Sequence, residues 1–307
     1  MRWISLLFLT LLAAKAPASQ SALTNGQFSG QINGTEIAWL VRGQGPVCMV
    51  VTNSWGFTAM GLHRLFSGLE AHFTMIYFDP RGMGRSGPVR AEEDRSMATV
   101  RKDLNGLRNH LGLEKTHVLG WSNGAMNAFL YVADYSEHVD KAVFVHGIAG
   151  FDEEDLAIMG EKNGSWLVKQ AAFMKSLREG LEPDAQKDEK LKNFIIDEWF
   201  PQLCANPEQG KLWLRELMGD LPFSWRHMIY QGRDMAHYDA RPLLSKIKCP
   251  TLVIAGNHDM LPPTGVKRAA HGIPGAVFKN FEHSGHFASI EEKDLFTEVL
   301  TSFLNGI

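Results

Sequence analysis

The chain has 307 residues, 45% of them hydrophobic and 21% charged, with 31 Lys and Arg against 34 Asp and Glu for a net charge of −3. This is globular composition, and it excludes a disordered tail, a collagen-like rod and a disulfide-dense mini-scaffold. There is no basic surplus to neutralise a run of phosphates, which argues against a nucleic-acid partner.

The first segment reads as a leader rather than as part of a fold. Arg2 supplies a positive start, residues 4–14 are apolar apart from Ser5 and Thr10, and Ala16-Pro17-Ala18 offers small residues for cleavage before Ser19. That pattern predicts a cleavable secretory signal over residues 1–18 and a secreted or periplasmic mature protein. Losing Arg2 and Lys15 leaves 29 − 34 = −5 charges. The apolar run is too short for a relaxed membrane span, which needs about 20 residues. No other stretch approaches one, so the mature chain is expected to have no stable span.

Residues 27–31 and 36–42 flank Asn33-Gly34, a strong hairpin signal. Short, β-rich runs follow at 47–52, 74–78, 117–120, 141–146, 251–255 and 276–281, mostly without alternation, as strands covered on both faces read. Between them, helical spacing covers 59–70, 97–111, 125–133, 263–270 and 290–304. A hairpin followed by repeated βα units predicts an α/β fold with a doubly wound, mainly parallel sheet of eight strands. One long interval, 151–238, has no convincing β run and holds Trp166, Trp199, Trp213 and Trp225 at helical spacing. Its acidic start, Asp152-Glu153-Glu154-Asp155, suits a helix N-terminus. The expected organisation is a core of 19–150 and 239–307 with a helical cap of 151–238 inserted above the strand ends, where ligands bind in open α/β sheets.

Cys48 and Cys249 sit in strand-like runs and Cys204 in the helical middle, with no Cys-x-x-Cys and no zinc spacing. Three free thiols, no metal and no cofactor are expected.

The chemistry centres on Gly120-Trp121-Ser122-Asn123-Gly124, which ends a strand and opens a helix. Such a turn projects a serine Oγ into a site, and the helix N-terminus behind it offers N–H groups to developing negative charge. A serine needs a base, and the base an orienting acid, in the order Ser, acid, His for this elbow. Asp259 follows the seventh strand and His286 the eighth, so parallel strands bring both to the edge of the sheet that carries Ser122. His283, His258 and Asp152 are the competing candidates. Ser284-Gly285-His286 with Glu291 beyond it fits the base position better than His283, and Asp152 sits in a charge run.

These motifs resemble the α/β-hydrolase superfamily, and within it the capped branch that includes proline iminopeptidases. Phe78-Asp79-Pro80-Arg81-Gly82-Met83-Gly84-Arg85-Ser86 is similar to the branch's Asp-x-Arg-Gly-x-Gly-x-Ser segment, and residues 249–256 to its strand leading to the acid. The resemblance implies Ser122 as nucleophile, Asp259 as acid, His286 as base and a structural role for Arg81. It departs after the third strand, where Asn53-Ser54 replaces the usual His-Gly. Alignment by position makes the Trp55 backbone N–H one oxyanion donor and that of Asn123 the other. The expected activity is hydrolysis of small carboxylic esters through an acyl-enzyme. A proline iminopeptidase is the alternative, since Glu153, Glu154 and Glu198 could meet a substrate amine. A silent hydrolase fold acting as a binding protein is a third reading. The expected ligand is a small-molecule ester or short peptide.

Overall fold

The computed structural model describes residues 23–306, so the expected export signal lies outside the described residues. Strands β1 (Gly26–Ile32) and β2 (Thr35–Gly43) form the hairpin, with Asn33 and Gly34 both at positive φ (50° and 78°) in its turn. Asn33 holds the turn to the core, donating from Nδ2 to Lys102 O at 2.9 Å and Asp103 Oδ1 at 3.0 Å. The remaining strands are β3 (Val47–Val51), β4 (Thr74–Phe78), β5 (Thr116–Trp121), β6 (Val139–Val145), β7 (Thr251–Gly256) and β8 (Val277–Phe281). Their order is β1-β2-β4-β3-β5-β6-β7-β8, antiparallel at the first two junctions and parallel from β4 onward. This is the expected eight-stranded α/β sheet.

The helices are α1 (Ala59–Phe66), α2 (Met97–His110), α3 (Asn123–Asp134), α4 (Glu153–Glu179), α5 (Asp184–Phe194), α6 (Pro207–Met218), α7 (Trp225–Met235), α8 (Pro263–His271), α9 (Ala288–Glu291) and α10 (Lys293–Asn305). Inner strands send alternate residues to opposite faces, as the pleat requires. Cys48, Val50, Met75 and Tyr77 join one apolar cluster with α1 and α10, while Met49, Val51, Ile76 and Phe78 join another with α2, α3 and α8. Burial on both faces is why these strands read as continuous apolar runs. Chain order reverses at β3, so the loops leaving β3 and β5 diverge. The crevice between them is where an open α/β sheet receives ligands.

Between β6 and β7 the described residues form helices and no strand. Asp152 caps α4 by accepting from the Asp155 N–H at 2.9 Å, which confirms the acidic helix start. The helices after α4 do not stand apart from the sheet. Ile195, Phe200, Leu203, Met218, Phe223 and Met228 share a cluster with Trp55, Phe57, Trp121 and Phe287 above the strand ends.

Two expected helices are interrupted. The first ends at Phe66 and tightens into a 3₁₀ turn, Ser67–Leu69. The last, expected over 290–304, breaks at Glu292 (φ −127°, ψ 52°) into α9 and α10. Glu292 leaves the helix because its carboxylate accepts from Ser284 Oγ at 2.6 Å and the His283 N–H at 3.1 Å. Cys48, Cys204 and Cys249 are buried and unpaired. Among the described residues, no helix is long and apolar enough to cross a membrane.

Candidate active site

Ser122 stands between β5 and α3 with φ 57° and ψ −126°, a left-handed conformation that costs a non-glycine residue energy and is kept where the surroundings enforce it. Here the Ser122 N–H donates to Val145 O at 2.9 Å and its carbonyl accepts from Met126 at 3.0 Å. The strain sits on the serine rather than on the flanking glycines, which serve close approach instead. A Cβ on Gly120 would lie 2.5 Å from Gly124 O, and one on Gly124 would lie 2.5 Å from Val51 O. Both substitutions would push the elbow off the sheet.

Asp259 and His286 meet as the order of the strands requires. His286 Nδ1 lies 2.8 and 3.0 Å from the two oxygens of Asp259, and Leu261 N–H donates to Oδ1 at 3.1 Å. Both residues are buried. Burial alone would raise the Asp259 carboxyl, but the field and hydrogen bonds of His286 together with the adjacent His146 ring outweigh it and hold the group well below the usual carboxylate range. Asp259 is therefore an anion against which His286 Nδ1 is fixed, and Ser122 and His286 line the same cavity.

The rest of the His286 loop is clasped from three sides. Trp121 Nε1 donates to His286 O at 2.9 Å, and the His286 N–H donates to Leu203 O at 2.7 Å. Glu291 accepts from the Gly285 and Phe287 N–H groups at 2.9 and 3.2 Å and from the Ala205 N–H at 2.7 Å. One carboxylate thus joins the histidine loop to the helical insertion.

The Asn53-Ser54 departure acquires a physical reason. Asn123 Oδ1 accepts from both the N–H (2.8 Å) and the Oγ (3.0 Å) of Ser54, all of it buried. The loop after β3 is thereby tied to the first residue of α3, and the two backbone groups expected to bind an oxyanion, Trp55 and Asn123, are held in one frame. The Trp55 ring stacks on Phe57 at 5.0 Å and Phe223 at 5.9 Å.

Ser122, His286, Asn123 and Trp55 line one cavity of about 150 Å³. Its other walls are Met126, Phe151, Met159, Trp199, Phe200, Leu203, Met228, Met235, Met260 and Leu261, with Gln231 the further polar group. Among these residues there is no carboxylate and no ammonium or guanidinium.

The competing candidates are engaged elsewhere. Asp152 caps α4 and lies 2.9 Å from Arg268, and the His283 N–H binds Glu292. His258 is exposed, although it adjoins Asp259. Arg81 is structural, pairing with Asp103 at 2.7 Å and Asp94 at 2.8 Å. Asp79 accepts from the Ala59 and Arg85 N–H groups at 2.8 and 3.0 Å, bracing the same loop. The insertion's acids also turn away from the cavity: Glu154 meets Arg268 at 3.0 Å, Glu198 meets Lys169 at 2.5 Å, and Glu153 is exposed. His146, whose ring lies against Asp259, carries no signal in the sequence. It closes a buried β run and has no motif around it.

The sequence pattern of the alpha/beta hydrolase fold matches residues 52–293, and the chain belongs to that family. Over 293 residues it is 26% identical to a 2-hydroxy-6-oxononadienedioate/2-hydroxy-6-oxononatrienedioate hydrolase from Pseudomonas sp, covering 92% of this chain and 94% of that one. It is 27% identical over 248 residues to a proline iminopeptidase from Lactobacillus crispatus (strain ST1), covering 75% of this chain and 80% of the relative. An alpha/beta fold family hydrolase from Bacillus anthracis str. Sterne superposes with a TM-score of 0.75 at 20% identity, covering 91% of this chain and 99% of that one.

Proposed function

We propose that the protein is a serine hydrolase of small, neutral carboxylic esters. The observation that carries this reading is the uncharged wall of the cavity holding Ser122 and His286. An iminopeptidase must receive a substrate ammonium, and the dienedioate in the Pseudomonas relative's name carries two carboxylates. Burying either charge without a partner is costly, and this cavity offers neither a carboxylate nor a cation. An apolar cavity of about 150 Å³ takes a benzene-sized group, which matches an acyl chain of a few carbons.

In this mechanism His286 Nε2 takes the proton of Ser122 Oγ as the oxygen attacks the ester carbonyl. Asp259 keeps the imidazole in the required tautomer and stabilises the imidazolium. The N–H groups of Asn123 and Trp55 bind the oxyanion, each worth roughly 3–4 kcal/mol in related sites. His286 then protonates the departing alcohol, leaving an acyl-serine. Water, deprotonated by His286, attacks that acyl group, and the carboxylic acid leaves as Ser122 regains its proton. The helices of 151–238 act as a cap that supplies the apolar walls and excludes solvent. Residues 1–18 act as an export signal, so N-terminal sequencing of the secreted or periplasmic protein should begin at Ser19.

Parallel assays on p-nitrophenyl butanoate, a p-nitrophenyl ester of a dicarboxylic acid and proline β-naphthylamide test the reading. The neutral ester should be turned over with the highest kcat/KM. Preference for the anionic ester or the proline amide would refute it.

A further inference from the structure

Asp259 has a second imidazole partner that the mechanism above does not use. His146 follows β6 directly, fully buried at 0% exposure and in the left-handed region at φ 51°. Its N–H donates to Ile254 O at 2.9 Å, anchoring it beside β7. Its Nδ1 lies 3.1 Å from Asp259 Oδ2, the same oxygen that stands 2.8 Å from His286 Nδ1. The two atoms are within reach but not aligned as a hydrogen bond, and among the described residues this nitrogen has no other partner. The Ala288 N–H points at His146 Nε2 at 3.4 Å, which leaves the ring proton on Nδ1, facing the carboxylate. The two histidine rings are 5.3 Å apart.

A simple packing role does not account for this arrangement. Desolvating an imidazole costs free energy that an apolar side chain would avoid. The left-handed backbone adds strain to any non-glycine residue, less to Asn, Asp and His than to others. Burial also holds the His146 imidazole below its ordinary range, so the ring is neutral and donates a single N–H.

We propose that His146 is a positioning residue of the Ser122–His286–Asp259 triad, donating Nδ1–H to Asp259 so that one carboxylate is held between two imidazoles. The inference rests on the triad reading of the proposed function. Its consequence is twofold. The second N–H fixes the carboxylate's orientation toward His286. It also draws negative charge from the oxygen that His286 binds, so Asp259 stabilises positive charge on the His286 ring less strongly than a carboxylate with one partner would. Besides the two histidines, the titratable groups that face Asp259 are Glu291 on α9 and the Cys204 thiol of the insertion. Both remain unchanged in the variants below.

The test compares His146→Asn with His146→Leu in the full-length enzyme. Asparagine can place an amide donor near the Nδ1 position and tolerates the left-handed backbone, whereas leucine fills the space without a donor. His146→Asn should keep kcat/KM near wild type with an unmoved acid limb of the pH profile. His146→Leu should lose about tenfold or more in kcat with little change in KM, the scale of one hydrogen bond to a charged group, and its acid limb should move to higher pH. Proton NMR of the wild type at neutral pH should show two low-field imidazole N–H resonances, and His146→Asn should retain one. A folded His146→Leu with the wild-type acid limb, or one low-field resonance in the wild type, would overturn the proposal. So would activity lost to a chelator and restored by zinc, because the three groups lie within 4.8 Å of one another and could then be a metal site. If His146→Leu fails to fold, the wild-type spectrum still decides. Turnover surviving in Ser122→Ala would instead sink the triad reading itself, and the resonances do not depend on it.

Discussion

Truncating Asn123 to alanine separates the side chain's role from that of its backbone N–H. The wild-type Oδ1 accepts from Ser54 N–H at 2.8 Å and Ser54 Oγ at 3.0 Å, and Ser54 is 0% exposed. Alanine leaves both donors buried without a partner. Each unsatisfied group costs about 1–3 kcal/mol, and rotation of the hydroxyl recovers part of one, so the net loss should be about 2–4 kcal/mol of stability. The backbone N–H of residue 123 survives the change. Activity therefore falls only through the loosened register between the loop after β3 and the start of α3. Full loss of one oxyanion donor costs about 10²–10³ in kcat, which sets the ceiling. A drop of roughly 10–100-fold in kcat is expected, with KM little changed because the apolar walls remain. Urea unfolding followed by tryptophan fluorescence and steady-state kinetics on p-nitrophenyl butanoate measure the two effects. Stability within about 0.5 kcal/mol of wild type together with unchanged kcat would show that this tie does not order the site.

Glu291→Gln replaces an acceptor-only group with one whose amide must face at least one of the three N–H groups now held. It should cost about 1–3 kcal/mol in unfolding free energy and lower kcat, because the His286 loop and Ala205 are fastened by the same carboxylate. Wild-type stability in that variant would contradict the clasp. His227 predicts a pH dependence of stability. It is buried at 2% exposure, with Nε2 2.9 Å from Arg81 O and Nδ1 2.8 Å from Ser224 Oγ. Burial lowers its pKa from 6.5 to about 4. The unfolded chain therefore binds this proton first as pH falls, and the associated stability is intact above about pH 6.5 and lost progressively down to about pH 4. The integrated loss is on the order of 3 kcal/mol, and His227→Gln should flatten that part of a stability-versus-pH curve. An unaltered slope in the variant would place the acid sensitivity elsewhere.

The fold was legible because its inner strands are covered on both faces and the helices packed on them, such as α1 and α8, present one apolar face, so period and punctuation carried the order of the sheet. The Ser122, Asp259 and His286 positions were legible for a related reason: parallel strands put every following loop on one edge. What escaped depends on side-chain direction at chain reversals. His146 closes an apolar run and reads as a strand residue, and only its left-handed backbone turns the ring onto Asp259. The break at Glu292 has neither proline nor glycine to announce it, because it arises from a long-range bond to the His283–Ser284 backbone and hydroxyl. The Ser54–Asn123 tie joins residues 69 positions apart, and neither member is unusual alone. The direction of the insertion's acids could not be read either, since helical spacing alone does not say which face meets the cavity.

Ser122 is proposed as the nucleophile of an acyl-transfer site. Reaction of the full-length protein with a fluorophosphonate, followed by peptide mapping and residual ester hydrolysis, tests it most directly. One adduct on Ser122, loss of hydrolysis in step with labelling, and neither labelling nor turnover in a folded Ser122→Ala are expected. Labelling at another residue, or ester hydrolysis at the wild-type rate in Ser122→Ala, would contradict it.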